Sequence, residues 1–250
     1  RFLNVTGVQT CALPISYSYS GAARDYALKN INIDIPNHKV TAIVGESGCG
    51  KTTLLKLIQG FYLPSEGSIK IGDVNLNLIN PHLWRKSTGS VMQESFIFSD
   101  TIANNIALST DSIDIPRMLH AAQIANIGNF ISSLPLGYNT RIGMEGNGIS
   151  AGQRQRILIA RAVYKSPEFM FFDEATNSLD ATNERVIMEN LRQSYKGKTV
   201  IISAHRLSTI KDADQIIVLH HGEVMEQGTH SQLLEAHGYY FKLVENQMST

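Results

Sequence analysis

A phosphate-binding pattern lies near residue 50. The stretch GESGCGKTT, residues 45–53, follows a continuous apolar run and fits G-x-x-x-x-G-K-[ST] in full. Glycines in such a loop let backbone N–H groups close around phosphate oxygens, and the following helix adds the positive end of its dipole. In this pattern Lys51 reaches the β- and γ-phosphates, and the Thr52 hydroxyl ligates magnesium. The stretch, called the phosphate loop below, therefore predicts a nucleoside triphosphate site, with an ordinary glycine-rich turn as the alternative.

The phosphate loop supplies the first set of candidate binding residues. They are Gly45, Glu46, Ser47, Gly48, Cys49, Gly50, Lys51, Thr52 and Thr53. Cys49 is interpreted as a small residue that the loop tolerates, and a redox role is the alternative.

A pair of acids follows a second apolar run, in FMFFDEATNSLD. Four apolar residues place Asp173 at the end of a buried strand, where its carboxylate can hold the shell of a magnesium ion. Glu174 follows at a point where water could approach the γ-phosphate. Adjacent acids at a strand end are also typical of a solvated turn, but the phosphate loop favours the magnesium site.

A second anion-binding segment, GNGISAGQRQR, occupies residues 146–156. Small residues precede a helix that carries arginines on its first turns. Ser150 can cap this helix and donate to a γ-phosphate, while the backbone N–H groups of Ala151 and Gly152 point the same way. A plain helix N-cap is compatible with this interpretation, so one domain would carry two phosphate-binding segments.

Composition limits the classes of function. The 250 residues are 43% hydrophobic, which is enough for a buried core. Lys+Arg and Asp+Glu balance at 22 each, so no overall charge attracts the chain to nucleic acid or to an anionic membrane. Cys11 and Cys49 show no metal-ligand spacing, which fits a reducing compartment rather than a disulfide scaffold. No apolar run approaches the roughly 18 to 20 residues that span a bilayer. We expect a soluble chain or a peripheral part of something larger.

The first residues do not resemble natural protein. VTGVQTCALPI, residues 5–15, resembles the translation of a sequencing-library adaptor, and the chain starts at Arg1 rather than Met. We interpret residues 1–15 as an artefact that packs poorly, with a true edge strand as the alternative. The natural protein would then continue upstream.

The remaining residues indicate an α/β domain over residues 16–250. KVTAIVG, residues 39–45, is typical of a buried parallel strand, and a helix follows over about residues 51–59. Residues 94–152 are helical in pattern, and strands alternate with helices again beyond them. Alternation of this kind predicts a mainly parallel sheet. We expect a core of residues 16–93 and 153–250, with a helical subdomain inserted at 94–152.

Six motifs occur in an order and spacing that resemble the ATPase domains of ABC transporters. They are the phosphate loop, Gln93 after a short strand, ISAGQ at 149–153, FFDE at 171–174, SLD at 178–180 and SAHR around His205. The resemblance covers residues 16–247. It implies a P-loop NTPase core with an antiparallel β subdomain, and ATP and Mg²⁺ as ligands.

The resemblance also implies roles for single residues. Tyr19 would stack on adenine, with a surface tyrosine as the alternative. Gln93 would touch magnesium or the attacking water and report to the membrane domain, and Glu174 would be the general base. His205 would contact the γ-phosphate, and Asp180 would cross to a partner subunit. Taken alone, Gln93 and His205 could equally be polar residues at strand ends.

In the family that the chain resembles, two ATPase domains pack head to tail. The phosphate loop of one copy would face Ser150, Ala151, Gly152 and Gln153 of the other. The two phosphate segments would then serve two different ATP molecules. The family usually has glycine at the position of Ala151. We expect this residue to be helical, where a methyl group is harmless.

Several segments resemble exporters in particular. TRIGMEGNGIS is similar to a segment that contacts the membrane half, with Glu145 matching the usual acid and Met144 departing from the pattern. The C-terminal residues resemble exporters in which the membrane and ATPase domains share one chain. Among these, GNGISAGQRQR and ESFIFSDTIANNIAL are most similar to bacterial peptide or bacteriocin exporters that begin with a cysteine-peptidase domain. The resemblance implies a homodimer at the cytoplasmic face of the bacterial inner membrane. It also implies a transmembrane domain upstream on the same natural chain, peptide efflux and no nucleic acid partner.

Two other classes are alternatives. A soluble ABC ATPase acting on ribosomes or DNA often carries two ATPase domains or a long coiled-coil insertion, and the sequence has neither. A separate importer subunit is disfavoured by the exporter-like segment.

Overall fold

The computed structural model describes residues 10–19, 26–108, 112–143, 148–204 and 210–248. The chain divides into two compact units. Arg1–Thr88 with Gly197–Thr250 form the first unit, and Gly89–Lys196 form the second.

The strands of the described residues are, in chain order, β1 (Thr10–Tyr17), β2 (Leu28–Ile35), β3 (Val40–Val44), β4 (Ile69–Ile71), β5 (Val74–Asn75), β6 (Thr88–Val91), β7 (Asp100–Thr101), β8 (Arg141–Ile142), β9 (Phe169–Asp173), β10 (Thr199–Ser203), β11 (Gln215–His220) and β12 (Glu223–Gly228). The helices are α1 (Lys51–Ile58), α2 (Pro81–Ser87), α3 (Ile102–Ala107), α4 (Ile115–Ile124), α5 (Gly128–Ser133), α6 (Ala151–Lys165), α7 (Ala181–Ser194), α8 (His230–Glu235) and α9 (Tyr239–Met248). Short 3₁₀ turns occupy Leu76–Leu78 and Gly137–Asn139.

A mainly parallel sheet forms the core of the first unit, with the strand order β12-β11-β3-β10. β10 and β11 both pair with β3 in parallel, and β12 pairs with β11 in the antiparallel sense. All five residues of β10 are buried, because a parallel strand is covered on both faces and its sequence is a continuous apolar run. The predicted α/β class is confirmed.

An antiparallel sheet in the first unit has the order β2-β1-β4-β5, so β1 is an interior strand. The expectation that residues 1–15 pack poorly is therefore wrong for residues 10–15. Backbone groups of β1 pair with β2 on one side and β4 on the other, and the Ile15 side chain is fully buried. This pairing and burial hold the segment whatever its origin. The adaptor origin stays a prediction, and residues 1–9 lie outside the described residues.

Helices dominate the second unit. α3 and α4 pack against α6, a helix of 15 residues. β7 and β8 form a short antiparallel pair in the same unit. β9 is buried along its whole length and lies beside β6. The predicted subdomain boundaries at 94 and 152 stay a prediction. In the part of the chain that the structure describes, no helix is both long and apolar enough to span a bilayer.

Candidate active site

The phosphate loop joins the end of β3 to the start of α1. Gly45 has a φ of 149°, and a methyl group there would overlap the Leu219 carbonyl. Gly50 has a φ of 107°, and an added Cβ would lie 2.6 Å from Leu28 Cδ2. Both positions combine a left-handed backbone with close contact, so they require glycine. The loop lies between a strand and a helix, as its sequence predicts.

Lys51 is folded over this loop. Its side chain is almost fully buried, and Nζ donates to the Gly45 carbonyl at 2.9 Å and to the Glu46 carbonyl at 2.8 Å. Cys49 Sγ lies 3.8 Å from the same nitrogen. These partners are neutral, so an anionic phosphate oxygen would bind the ammonium more strongly than they do. The residues present therefore fit a phosphate group.

Cys49 is buried within the loop. Burial raises the pKa of its thiol, although nearby Lys51 acts in the opposite direction. The protonated thiol is thus favoured at neutral pH, and a protonated thiol is a poor nucleophile. This chemistry supports the interpretation of Cys49 as a small packing residue.

Tyr19 lies next to the phosphate loop. Its hydroxyl is 2.8 Å from Thr53 Oγ1, and its side chain is 61% exposed. The rings of Tyr17 and Tyr62 contact it edge-on, with centroids 5.0 and 5.8 Å away. An exposed ring held in this way offers a surface on which a nucleotide base can stack. Sequence reasoning did not identify Tyr62, because no motif marks it.

In the second unit, Asp173 is the last residue of β9, and Glu174 follows it. Asp173 is 1% exposed, so its carboxylate is deeply buried at the carboxyl end of the strand. Glu174 adopts a φ of 52°, which costs a residue with a side chain on the order of 1 kcal/mol and is common at functional sites. Asn177 Nδ2 donates to Glu174 Oε2 at 2.6 Å and fixes the carboxylate. Asn177 was not predicted, because a three-residue spacing is a weak signal by itself.

Gln93 is exposed in the turn that follows β6. The Met92 N–H donates to Ser95 Oγ at 3.0 Å, and the Ser95 N–H donates to the Met92 carbonyl at 3.0 Å. These two hydrogen bonds close the turn around Gln93. The side chain is therefore presented to solvent, as a residue that touches ligand or water would be.

The second phosphate segment forms a capping box at the start of α6. Ser150 Oγ accepts from the Gln153 N–H at 3.2 Å, and Gln153 Oε1 accepts from the Ser150 N–H at 2.8 Å. Because the serine oxygen acts as the acceptor, its own proton stays available for donation to an anion. Ala151 is the first residue of the helix and has no positive φ, as expected. A Cβ on Gly152 would come 3.3 Å from the Ser178 carbonyl, so this segment adjoins residues 178–180.

Asp180 caps α7. Its carboxylate accepts from the Thr182 and Asn183 N–H groups at 3.1 and 2.9 Å and from Asn183 Nδ2 at 2.6 Å. Hydrogen bonds from the Asn183 side chain and backbone lower the pKa of Asp180. Burial lowers the pKa of the Arg156 guanidinium, and the negative charge of Asp180 acts in the opposite direction. The predicted contact with a partner subunit stays a prediction.

The first unit thus brings Tyr19 to the phosphate loop, and the second brings the start of α6 to residues 178–180. Three predicted residues, Met144, Glu145 and His205, lie outside the described residues.

Comparison with known proteins shows the family to which the chain belongs. The family model described as "ABC transporter" matches residues 28–177, more than half of the chain. The leukotoxin translocation ATP-binding protein LktB of Mannheimia glucosida is 45% identical over 223 residues, which are 89% of this chain and 32% of that protein. The same protein in Bibersteinia trehalosi gives the same identity and coverage. The chain therefore spans about a third of the length of the curated relatives it matches.

A solved structure is also similar. A bacterial Atm1-family ABC exporter with ATP bound superposes with a TM-score of 0.93 and 36% identity, over 98% of this chain and 43% of that one. The predicted P-loop fold is confirmed. Together with the family match, this likeness shows that the chain belongs to the ABC transporter family, as an ATPase domain of the kind that its motifs predict.

Proposed function

We propose that this chain binds and hydrolyses ATP to power the export of a peptide or protein across the bacterial inner membrane, from its cytoplasmic face. One observation carries the proposal. The ammonium group of Lys51 is buried in a loop that requires glycine, and among the described residues its hydrogen-bond partners are neutral. The 45% identity to a protein named for leukotoxin translocation supports the class of cargo, and the likeness to an ABC exporter supports the direction of transport.

The first unit supplies the groups that hold ATP. Backbone N–H groups of the phosphate loop and the start of α1 would surround the β-phosphate. Lys51 would exchange its carbonyl partners for β- and γ-phosphate oxygens, which is favourable because a charged acceptor roughly doubles the strength of a hydrogen bond. Tyr19 would stack on the adenine ring. The remaining loop residues would line the same site.

Magnesium fits the proposed ligands by their chemistry. The Thr52 hydroxyl, the Gln93 amide oxygen and the Asp173 carboxylate are hard oxygen donors, and one or two carboxylates suffice when phosphates and waters complete the shell. When bound, Mg²⁺ would neutralise charge on the β- and γ-phosphate oxygens.

Hydrolysis needs a base for the attacking water. We assign this role to Glu174, which follows the buried strand β9 and whose carboxylate is oriented by a hydrogen bond from Asn177 Nδ2. The water oxygen forms a bond to the γ-phosphorus, the bond to the bridging oxygen breaks, and ADP and phosphate leave. Gln93 and His205 would orient the water and the γ-phosphate.

A second copy would complete each site. Residues 150–153 of one copy would serve the nucleotide held by the phosphate loop of the other, because Ser150 keeps a proton to donate at a helix N-terminus. Asp180 would lie at the contact between the copies. The relatives are about three times as long as the matched segment, which supports a transmembrane domain upstream on the same natural chain.

The test measures phosphate release by the purified chain with Mg²⁺-ATP and with EDTA present. We expect magnesium-dependent hydrolysis that Lys51→Ala abolishes. Lys86→Ala, which changes an exposed lysine on α2 of the same unit, is the control and should behave as wild type. Hydrolysis that survives Lys51→Ala would contradict the proposed site. Strong stimulation by ribosomes or DNA would contradict the transport assignment.

A further inference from the structure

The turn after α4 contains an asparagine with a left-handed backbone. Asn126 has a φ of 51°, a conformation that asparagine tolerates better than most residues with a side chain. Its N–H donates to the Gln123 carbonyl at 3.0 Å, which closes the turn at the end of the helix. The carbonyl and the side-chain amide of Asn126 are hydrogen-bonded to two other segments of the second unit.

The Asn126 carbonyl is bound to the first turns of α6. Arg156 Nη1 donates to this carbonyl at 2.8 Å, and Arg156 Nε donates to the Gly152 carbonyl at 3.3 Å. A charged donor makes a stronger hydrogen bond than a neutral one. The guanidinium therefore joins the turn after α4 to the second phosphate segment, residues 150–153.

The Asn126 side chain is bound to the start of α7. Its Nδ2 donates to Asn183 Oδ1 at 2.9 Å, and Asn183 Nδ2 donates in turn to Asp180 Oδ2 at 2.6 Å. Because the Asn183 amide accepts at its oxygen and donates from its nitrogen, the first hydrogen bond orients the second. One turn or more along α7, Asn190 Nδ2 donates to the Ile124 carbonyl at 3.2 Å, which holds the same two helices together.

Asn126 thus links the two segments that would meet a second copy of the chain. Residues 150–153 would contact the nucleotide of that copy, and Asp180 would lie at the contact between the copies. A Cβ on Gly152 would come 3.3 Å from the Ser178 carbonyl, so the two segments are close neighbours. A surface whose parts are fixed before binding loses less conformational entropy when the partner arrives.

We propose that Asn126 is a positioning residue for the association of two copies. Its side chain, acting through Asn183, holds Asp180 at a fixed place relative to the start of α6, so that a second copy engages both segments at once. The inference rests on the proposed function, because it concerns the proposed shared site. The hydrogen bonds named above lie in the second unit, whereas the phosphate loop belongs to the first. Binding of ATP by a single copy should therefore not depend on Asn126.

The test measures the association of copies in the presence of Mg²⁺-ATP by sedimentation, in a Glu174→Gln parent that should not consume the nucleotide. Asn126→Gly removes the side chain, keeps the carbonyl that Arg156 binds and suits the left-handed backbone. We expect the dissociation constant of the ATP-bound dimer to rise on the order of fivefold, the effect of losing one hydrogen bond. The affinity of a single copy for ATP, measured at protein concentrations far below that constant, should stay as in the parent.

Asn30→Gly is the matched control. It makes the same change at an exposed residue of β2 with a φ of 47°, in the first unit. Both the dissociation constant of the dimer and the affinity for ATP should stay as in the parent. Melting temperatures of all variants, and measurements well below them, separate the expected effect from unfolding.

A double-variant cycle tests the route through Asn183. Asn183→Ala removes the amide that links Asn126 to Asp180, while the backbone N–H of residue 183 can still donate to Asp180. If Asn126 acts through this amide, Asn126→Gly should weaken the dimer no further in an Asn183→Ala background. A general loss of stability would instead give additive effects.

An unchanged dimer in Asn126→Gly, an equal change in Asn30→Gly, a loss of ATP affinity in single copies of Asn126→Gly, or additive effects in the cycle would overturn the inference. If the parent dimerises with ATP and Asn126→Gly does so equally well, this inference alone fails. If the parent stays monomeric with ATP at high protein concentration, the proposed shared site fails as well.

Discussion

Replacing Glu174 by glutamine removes a proton acceptor with little change in shape. The amide keeps an oxygen that can accept from Asn177 Nδ2, a bond of 2.6 Å in the native chain, so the turn after β9 should persist. The left-handed backbone at residue 174 is equally accessible to both side chains. The lost contribution is therefore that of general-base catalysis, a factor of roughly 10² to 10⁴ in rate, or about 3 to 5 kcal/mol in the barrier.

The assay follows phosphate release at saturating Mg²⁺-ATP, and ATP affinity is measured by calorimetry. We expect kcat to fall by the factor given above while affinity and magnesium dependence are retained. Glu189→Gln, on the exposed face of α7, is the matched control and should hydrolyse ATP normally. Turnover by Glu174→Gln within about tenfold of wild type would refute the assignment of the base, because general-base catalysis contributes at least about a hundredfold.

Two further predictions concern the first unit. Deleting residues 1–15 removes most of β1, which pairs on both sides, so we expect the melting temperature to fall by about 4 °C or more. An unchanged melting temperature would show that this pairing adds no stability. Cys49 should react slowly with maleimide at neutral pH, because burial raises its pKa, and faster as pH rises towards that pKa. Bound ATP should slow the labelling further, and equal labelling with and without ATP would place Cys49 away from the nucleotide.

Local sequence patterns predicted the parts of the site that depend on neighbouring residues. The phosphate loop needs only glycines at fixed spacing between a strand and a helix. The sequence predicted both the strand before the loop and the helix after it. Four apolar residues sufficed to place Asp173 at the end of a buried strand. The cap at Ser150 follows from a serine three residues before a glutamine.

Contacts between distant segments could not be predicted in this way. The packing of β1 was misjudged because it was inferred from the resemblance of residues 5–15 to an adaptor, whereas the pairing comes from the distant strands β2 and β4. Tyr62 contacts Tyr19 across the first unit, the Tyr239 hydroxyl contacts His220 Nδ1, and Glu226 caps the start of α9. The positive φ of Glu174 is likewise a property of the folded turn, since glutamate has no preference for it.

The shared nucleotide site is the central claim, and mixing two inactive variants tests it most directly. Lys51→Ala loses the phosphate lysine, and Ser150→Arg blocks the start of α6 with a bulky cation. In a mixed dimer one site joins both lesions, while the other joins an intact phosphate loop to an intact segment 150–153. We therefore predict that mixing restores part of the ATPase activity, both at high protein concentration and with the two copies tethered to raise their effective concentration. If both segments served one nucleotide within one chain, every chain would carry a lesion, and no recovery in either format would contradict the account.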